Sequence, residues 1–272
     1  MDVPLFFGSD YRVTQQELTP GKGRRWVRFG LRALLVLILV CCIGLAWLAA
    51  LMAEGRRQEQ IATALSAAHC TVEMSHYKRV ATKGNYGFQM DLVSTLNPAL
   101  EWLGLGKAFR RIEHVTLREN SEMTPALAQL HTLDNLTMLG TYHSGITAEQ
   151  LAELLDEIEV QKLYIPSVPL SRRELPWLNR PSLTWICVAR TQFSNPAIDS
   201  LPLSLVYFDA TRTRISDEGL DKFRRLTNLR MLKLRRTQAS LAAVQGLRKK
   251  MPWCVIEWQD IQGRSGVSYG VD

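Results

Sequence analysis

The segment YFDATRTRISDEGL, running from Tyr207 to Leu220, sets two carboxylates, Asp217 and Glu218, behind a cluster of hydroxyls and two arginines. Paired carboxylates can hold a hard cation, and hydroxyls beside arginines can hold a phosphate, so residue types alone admit either site. GLGKAF, residues 104–109, adds a Gly-x-Gly-Lys run. A phosphate-binding loop needs a longer Gly-x-x-x-x-Gly-Lys followed by Ser or Thr, and Ala108 stands where that hydroxyl belongs. The histidines, His69, His76, His114, His131 and His143, form no His-x-x-x-His pair, and no Cys-x-x-Cys accompanies them. Cys70 and His76 could share a metal only with ligands brought from elsewhere in the fold. No Gly-x-Ser-x-Gly elbow raises a serine nucleophile. These residues nominate no catalytic, cofactor or metal site, and the expectation is a protein that is not an enzyme and carries no cofactor.

Whether Asp217 and Glu218 are chemistry or scaffolding depends on how often their surroundings recur. Ser216, just before DEGLDKFRRL, has counterparts at Thr124, Thr147, Ser171, Ser194 and Ser240, at intervals of 22 to 24 residues. A small hydroxyl before a helical pattern is an N-cap signal, because its oxygen accepts from an unpaired first-turn amide, worth about 1 kcal/mol. Thr147 with Gln150 and Ser171 with Glu174 have capping-box spacing, and Pro125 suits a first helical position. Asp217 and Glu218 then fall in a first turn, where the macrodipole favours negative charge. They read as helix starters.

Upstream of each cap lies a strand-like segment with fixed offsets. Leu229, Leu232 and Leu234 precede Thr237. The same spacing gives Leu205, Phe208, Ala210 and Thr213; Leu183, Ile186, Val188 and Thr191; Val160, Leu163, Ile165 and Val168; and Leu136, Leu139, Thr141 and Ser144. Ile112, Val115, Leu117 and Asn120 begin the series. Alternate apolar residues face one side of a strand, and a unit this short cannot bury that side alone.

LTNLRMLKLRRTQAS and LSLVYFDATRTRISDEGLDKF resemble leucine-rich repeats of the short bacterial type, L-x-x-L-x-L-x-x-T-x-I-[ST], over residues 109–258. The resemblance implies an α/β solenoid of about six to seven parallel strands lining a concave face, with helices outside. The turn Thr or Ser stands where many such repeats carry Asn, whose side chain bonds the neighbouring coil. A hydroxyl can do part of that work, but Val168 cannot, so distortion is expected there. The flanking segments RRWVRFGLRALLVLI, RRQEQIATALSAAHCTVEMSHY, ALEWLGLGKAFRRIEHVTL and LRKKMPWCVIEW resemble membrane-anchored leucine-rich-repeat proteins of the planctomycete bacterial type.

The chain of 272 residues is 46% apolar, which suffices for one sizeable core and excludes a disordered chain. Residues 33–53, ALLVLILVCCIGLAWLAALMA, carry no charge over 21 positions, about 31 Å of helix and so a bilayer's apolar thickness. A cleaved signal would need small residues near its end, where Trp47, Leu48 and Leu51 are bulky, so an uncleaved anchor is expected. Lys22, Arg24, Arg25, Arg28 and Arg32 precede it and only Arg56 and Arg57 follow closely, which places the N-terminus in the cytoplasm and the repeats across the inner membrane. Residues 1–32 read as a cytoplasmic tail and 54–108 as a membrane-proximal helix and α/β cap. Within that cap CTVEMSHY reads as a strand, 82–97 as a loop and 98–106 as a short helix. Residues 259–272 read as a flexible tail after a last strand at Val255, Ile256 and Trp258. Cys70, Cys187 and Cys254, too sparse for a disulfide framework, are expected to be unbridged.

Residues between the inward leucines must face out of the sheet: His114, Thr116 and Arg118; Met138, Gly140 and Tyr142; Lys162, Tyr164 and Pro166; Trp185, Cys187 and Ala189; Tyr207, Asp209 and Thr211; Met231, Lys233 and Arg235. Tyr142, Tyr164, Trp185, Tyr207, Met231, Lys233 and Arg235 are the candidate protein-binding face, since Trp, Tyr and Arg dominate interface energetics. The competing reading is cross-strand stacking that merely stabilises the sheet, each pair by about 0.2–1 kcal/mol. Lys222 to Lys250 holds ten basic residues beside Asp221, which suggests an anionic envelope glycan or lipid headgroup as an alternative partner. Nucleic acid is disfavoured by the expected location outside the cytoplasm. The reading is thus a single-pass membrane protein with an unidentified protein partner.

Overall fold

The computed structural model describes residues 30–75, 102, 105, 106, 110–119, 121–133, 135–170, 175–260, 262 and 265–268. The alternating apolar stretches form strands, and these make one nine-stranded sheet in which chain order is spatial order. The strands are β1 (Thr71–Ser75), β2 (Arg111–Arg118), β3 (Asn135–Tyr142), β4 (Glu159–Tyr164), β5 (Trp185–Cys187), β6 (Tyr207–Asp209), β7 (Met231–Arg235), β8 (Val255–Gln259) and β9 (Ser265–Ser268). From β2 to β8 every pairing is parallel, while β1 and β9 run antiparallel at the two ends.

Register follows from the inward residues. Val115, Leu139, Leu163, Ile186, Phe208, Leu232 and Ile256 are successive partners across the sheet, and all are fully buried. A one-residue slip would turn this entire row outward and forfeit roughly 1.5–3 kcal/mol per large side chain. Phe208 also meets Phe193 and Phe223, with ring centroids at 5.4 and 5.8 Å, so aromatic packing joins the connections before and after β6.

The connections on the buried side are helices or 3₁₀ turns: α2 (Met123–Leu130), α3 (Ala148–Glu157), 3₁₀ segments at Pro176–Leu178 and Asn195–Ser200, α4 (Asp217–Leu220) continuing as 3₁₀ through Asp221–Arg225, and α5 (Leu241–Lys250). Caps form where the expected hydroxyl reaches a first-turn amide. Thr147 makes the full capping box with Gln150, and Ser240 accepts from the Ala243 amide. Elsewhere the expectation fails. Glu122 stands at the N-cap of α2 without a side-chain capping bond, Thr124 lies inside the helix and Pro125 falls past its first position. Ser194 and Ser216 occupy cap positions without a side-chain capping bond, although their carbonyls accept from the Ala197 and Gly219 amides. Ser171 and Glu174 lie outside the described residues.

The residues after two of these caps link successive connections instead. Asn195 Oδ1 accepts from the Ser216 amide at 3.0 Å and its Nδ2 donates to Ser216 Oγ at 2.7 Å. One coil on, Asp217 accepts from the Ser240 amide at 2.6 Å and from Ser240 Oγ at 2.8 Å. Asp217 is therefore a lateral brace as well as a helix starter.

The turn hydroxyls behave differently from the expected coil-to-coil bond. Thr191, Thr213 and Thr237 each donate to the carbonyl three residues earlier in their own coil, at 2.7, 2.7 and 3.0 Å. Between strand and hydroxyl sits a residue in left-handed backbone: His143, Ser167, Arg190, Arg212 and Arg236, with φ between 53° and 62°. That conformation costs a non-glycine residue roughly 1–2 kcal/mol. Val168 loses the hydroxyl bond, yet its coil keeps the same turn: Ile165 and Ser167 donate to Cys187 and Ala189 as Val188 and Arg190 donate to Asp209 and Thr211. The distortion expected at Val168 is absent from residues 165–168.

At the N-terminal end, α1 (Leu31–Ala67) is one continuous helix. Its latter part buries Ile61 and Leu65, with Ala68 just beyond, and Gln58 Oε1 accepts from the Ile112 amide at 3.3 Å. The expected loop at 82–97 and nearly all of the 98–106 segment lie outside the described residues. At the other end Ser265–Ser268 pairs with β8, which corrects the reading of 259–272 as a loose tail. As a unit by itself, the first part of α1 exposes Leu35, Val36, Leu39, Ile43 and Trp47 by more than half. Among the described residues one helix is thus long and apolar enough to cross a membrane, consistent with an anchor or a signal sequence.

Candidate functional site

Opposite the buried row, the intervening strand residues form a second face. By register Lys162, Trp185, Tyr207, Met231 and Val255 are successive neighbours, and so are Gly140, Tyr164, Cys187, Asp209, Lys233 and Glu257. Tyr164, Trp185, Tyr207, Met231 and Lys233 are half-exposed. Trp185 stacks on Tyr207 at 4.6 Å with planes 8° apart, and Tyr164 leans against Trp185 at 6.1 Å. Lys233 Nζ lies 5.5 Å over the Tyr207 ring. The rings therefore cover each other's faces and offer their edges to solvent.

Three of the four expected aromatics are brought together. Tyr142 is set apart: its strand neighbour is Arg118, its ring meets His143 edge-on at 5.0 Å, and it is 57% exposed. It lines an open cleft of about 420 Å³ with His69, Cys70, Thr71, Arg118 and Glu119. Gly140, Pro166 and Cys187, expected on the outward face, are buried instead. The reason for Cys187 is size, since the small thiol sits between the larger Tyr164 and Asp209.

Burial governs the titrating groups here. It raises the Tyr164 and Tyr207 phenols, with a bond to Lys233 partly offsetting the rise at Tyr207, so both hydroxyls stay protonated donors near neutral pH. At Lys233 burial pulls downward, but the Tyr207 hydroxyl, then Glu257 and Asp209, outweigh it and hold the ammonium above its ordinary value. Burial pushes the Cys187 and Cys254 thiols up to about 12 and raises Cys70, so these sulfurs are not poised nucleophiles. All five cysteines are unbridged. Among the described residues no group of three or more His, Cys, Asp or Glu side chains is placed to hold a metal. His114 and His131 instead pair singly with Glu73 and Glu157, at 2.8 and 2.6 Å.

Most of the basic stretch is engaged internally. Arg225 Nη2 donates to the carbonyls of Ile198, Asp199 and Leu201 at 2.7, 2.9 and 2.6 Å, capping the preceding 3₁₀ turn. Lys222 pairs with Asp199, while Arg224 and Lys250 share Asp221 at 3.3 and 2.6 Å. Arg230 and Arg248 bond the Thr227 and Ile256 carbonyls. Glu257, which the outward-residue reading missed, lies 2.9 Å from Arg235 and 3.9 Å from Lys233. Extending the alternation one strand further, between Ile256 and Trp258, would have found it. Arg236 and Lys249 are the members of the stretch without a side-chain partner among the described residues.

No protein-family model matches the chain. Nor does any curated protein match it significantly.

Proposed function

We infer that the chain is a single-pass membrane-anchored protein whose residues 109–258 form a leucine-rich-repeat solenoid and whose open sheet face receives a partner protein. The sequential parallel strands and their one-to-one pairing of equivalent apolar residues support the solenoid reading. The exposed apolar stretch of α1 and the basic residues before it support an anchor with the repeats outside the cytoplasm. A reporter fused after Asp272 and active only in the cytoplasm would overturn that placement.

The observation that carries the binding reading is the half-exposed Tyr164–Trp185–Tyr207 row, prolonged by Lys233 and Arg235. Large aromatic rings already locked by stacking lose little entropy when a partner docks. Stacking also stabilises the sheet, so the two roles are separated by experiment. Trp185→Ala and Tyr207→Ala in the full-length protein should each cut recovery of a co-purifying partner by about tenfold while thermal unfolding shifts little. Folded variants that recover the same partners in the same amounts would reduce the row to a structural role. The anionic-envelope alternative is weakened by the internal pairing of most basic side chains between Lys222 and Lys250.

A further inference from the structure

The left-handed turn position at the C-terminal ends of β5, β6 and β7 is occupied by arginine three times running. Arg190, Arg212 and Arg236 have φ of 59°, 57° and 53°. Each donates its amide to the next coil, to Thr211, Arg235 and Gln259, so the three occupy equivalent places one strand apart. Neighbouring strands lie about 4.8 Å apart, which makes a ladder of like charges spanning roughly 10 Å. All three side chains are exposed, and none has a side-chain partner among the described residues. Arg214, two residues beyond Arg212, is exposed too.

This arrangement opposes stability twice over. Adjacent like charges repel, and a left-handed position favours Gly or Asn over a long side chain. Of the cations on the neighbouring connections, Lys222, Arg224, Arg225, Lys250 and Arg235 have acids or carbonyls to answer them, while Arg214 and Lys249 have no side-chain partner among the described residues. Three adjacent like charges, with an acid only on the next rung at Asp260 beyond Arg236, point to a ligand that supplies further anions.

The ladder begins just beyond the C-terminal ends of the strands that carry Trp185 and Tyr207, so it borders the aromatic row. Ring edges carry partial positive charge, so they favour carboxylates over nucleobases, which need ring faces. Here both faces of Tyr207 are taken, by Trp185 and by Lys233. Guanidinium forks match carboxylates bidentately, and an extended chain rising about 3.3 Å per residue crosses the ladder in three or four residues. We propose that Arg190, Arg212 and Arg236 hold the Asp or Glu side chains of an acidic extended segment in the partner protein. The inference rests on the protein-binding reading and names the chemistry of what binds.

The test uses full-length protein in detergent and a fluorescein-labelled oligoglutamate peptide of about ten residues, followed by anisotropy. The triple variant Arg190→Asn, Arg212→Asn, Arg236→Asn removes the charges while keeping a residue suited to left-handed backbone. A control triple, Lys222→Gln, Arg224→Gln, Lys249→Gln, removes equal charge from the other side of the coils. Saturable binding should weaken roughly tenfold or more in the ladder variant and change less than about twofold in the control. The melting temperature of the ladder variant should hold or rise.

No saturable binding, equal weakening by both triples, or a lower melting temperature in the ladder variant would overturn the proposal. So would preference for polyphosphate or for phosphatidylglycerol vesicles over oligoglutamate. Failure here with the Trp185 and Tyr207 effects intact defeats the ladder alone. Failure of those effects defeats the reading beneath it.

Discussion

Phe208→Ala should lower the unfolding free energy by about 3–5 kcal/mol, the largest loss expected from a single truncation in the sheet. Phe208 exposes no surface and lies within the buried row, between Ile186 and Leu232. It also lies between the rings of Phe193 and Phe223, which belong to the connections on either side of its coil. Removing it opens a cavity bounded by well-packed strands that cannot collapse without breaking their parallel ladder. Denaturant unfolding of full-length protein in detergent measures the effect, with Phe208→Leu expected to cost no more than about 1.5 kcal/mol. A Phe208→Ala loss below about 1 kcal/mol would mean that the spine does not run through this position.

Gly219→Ala is the second large effect, about 2 kcal/mol, although alanine normally favours a helix by close to 1 kcal/mol over glycine. A Cβ at Gly219 would sit 2.3 Å from Asn195 Oδ1 and 3.0 Å from Ile198 Cδ1. The oxygen cannot simply swing away, because it accepts the Ser216 amide while the same side chain donates to Ser216 Oγ. The substitution therefore breaks the brace between two coils. In a double-mutant cycle with Asn195→Ala, the pair should be less destabilised than the sum of the singles by about 1 kcal/mol. Strict additivity would place the strain elsewhere.

Much of the fold was legible because its determinants are local. The offsets of Leu229, Leu232 and Leu234, copied upstream, predict both the strands and their register, and the pairing Ile186–Phe208–Leu232 follows that alignment. Thr147 with Gln150 predicts a capping box that forms. Illegible features arise between coils. Arg225 reaches carbonyls 24 to 27 residues earlier, and Asp217 reaches Ser240, 23 residues later, contacts that no local pattern encodes. Strand β9 escaped notice because GRSGVSYGVD lacks apolar alternation, and it pairs because β8 would otherwise leave an open edge.

The candidate site was legible to the same degree. Alternation places Trp185, Tyr207, Met231 and Lys233 on one face, but it says nothing about side-chain size, so Cys187 and Pro166 were expected in the open and are covered. Tyr142 shares the parity of Tyr164, yet Tyr164 has Gly140 as its neighbour and the aromatic row stops there. The arginine ladder was hidden for another reason. Its residues lie beyond the strand ends, where period-two reasoning no longer applies and only the shared left-handed turn shows them to be equivalent.

The claim that the aromatic face is the contact surface is tested most directly by a photo-crosslinking amino acid at position 207 of the membrane-bound protein, compared with position 249 on α5. Crosslinking from 207 to one discrete protein, with none from 249, is the result expected. Adducts from 249 to that protein, with none from 207, would contradict it.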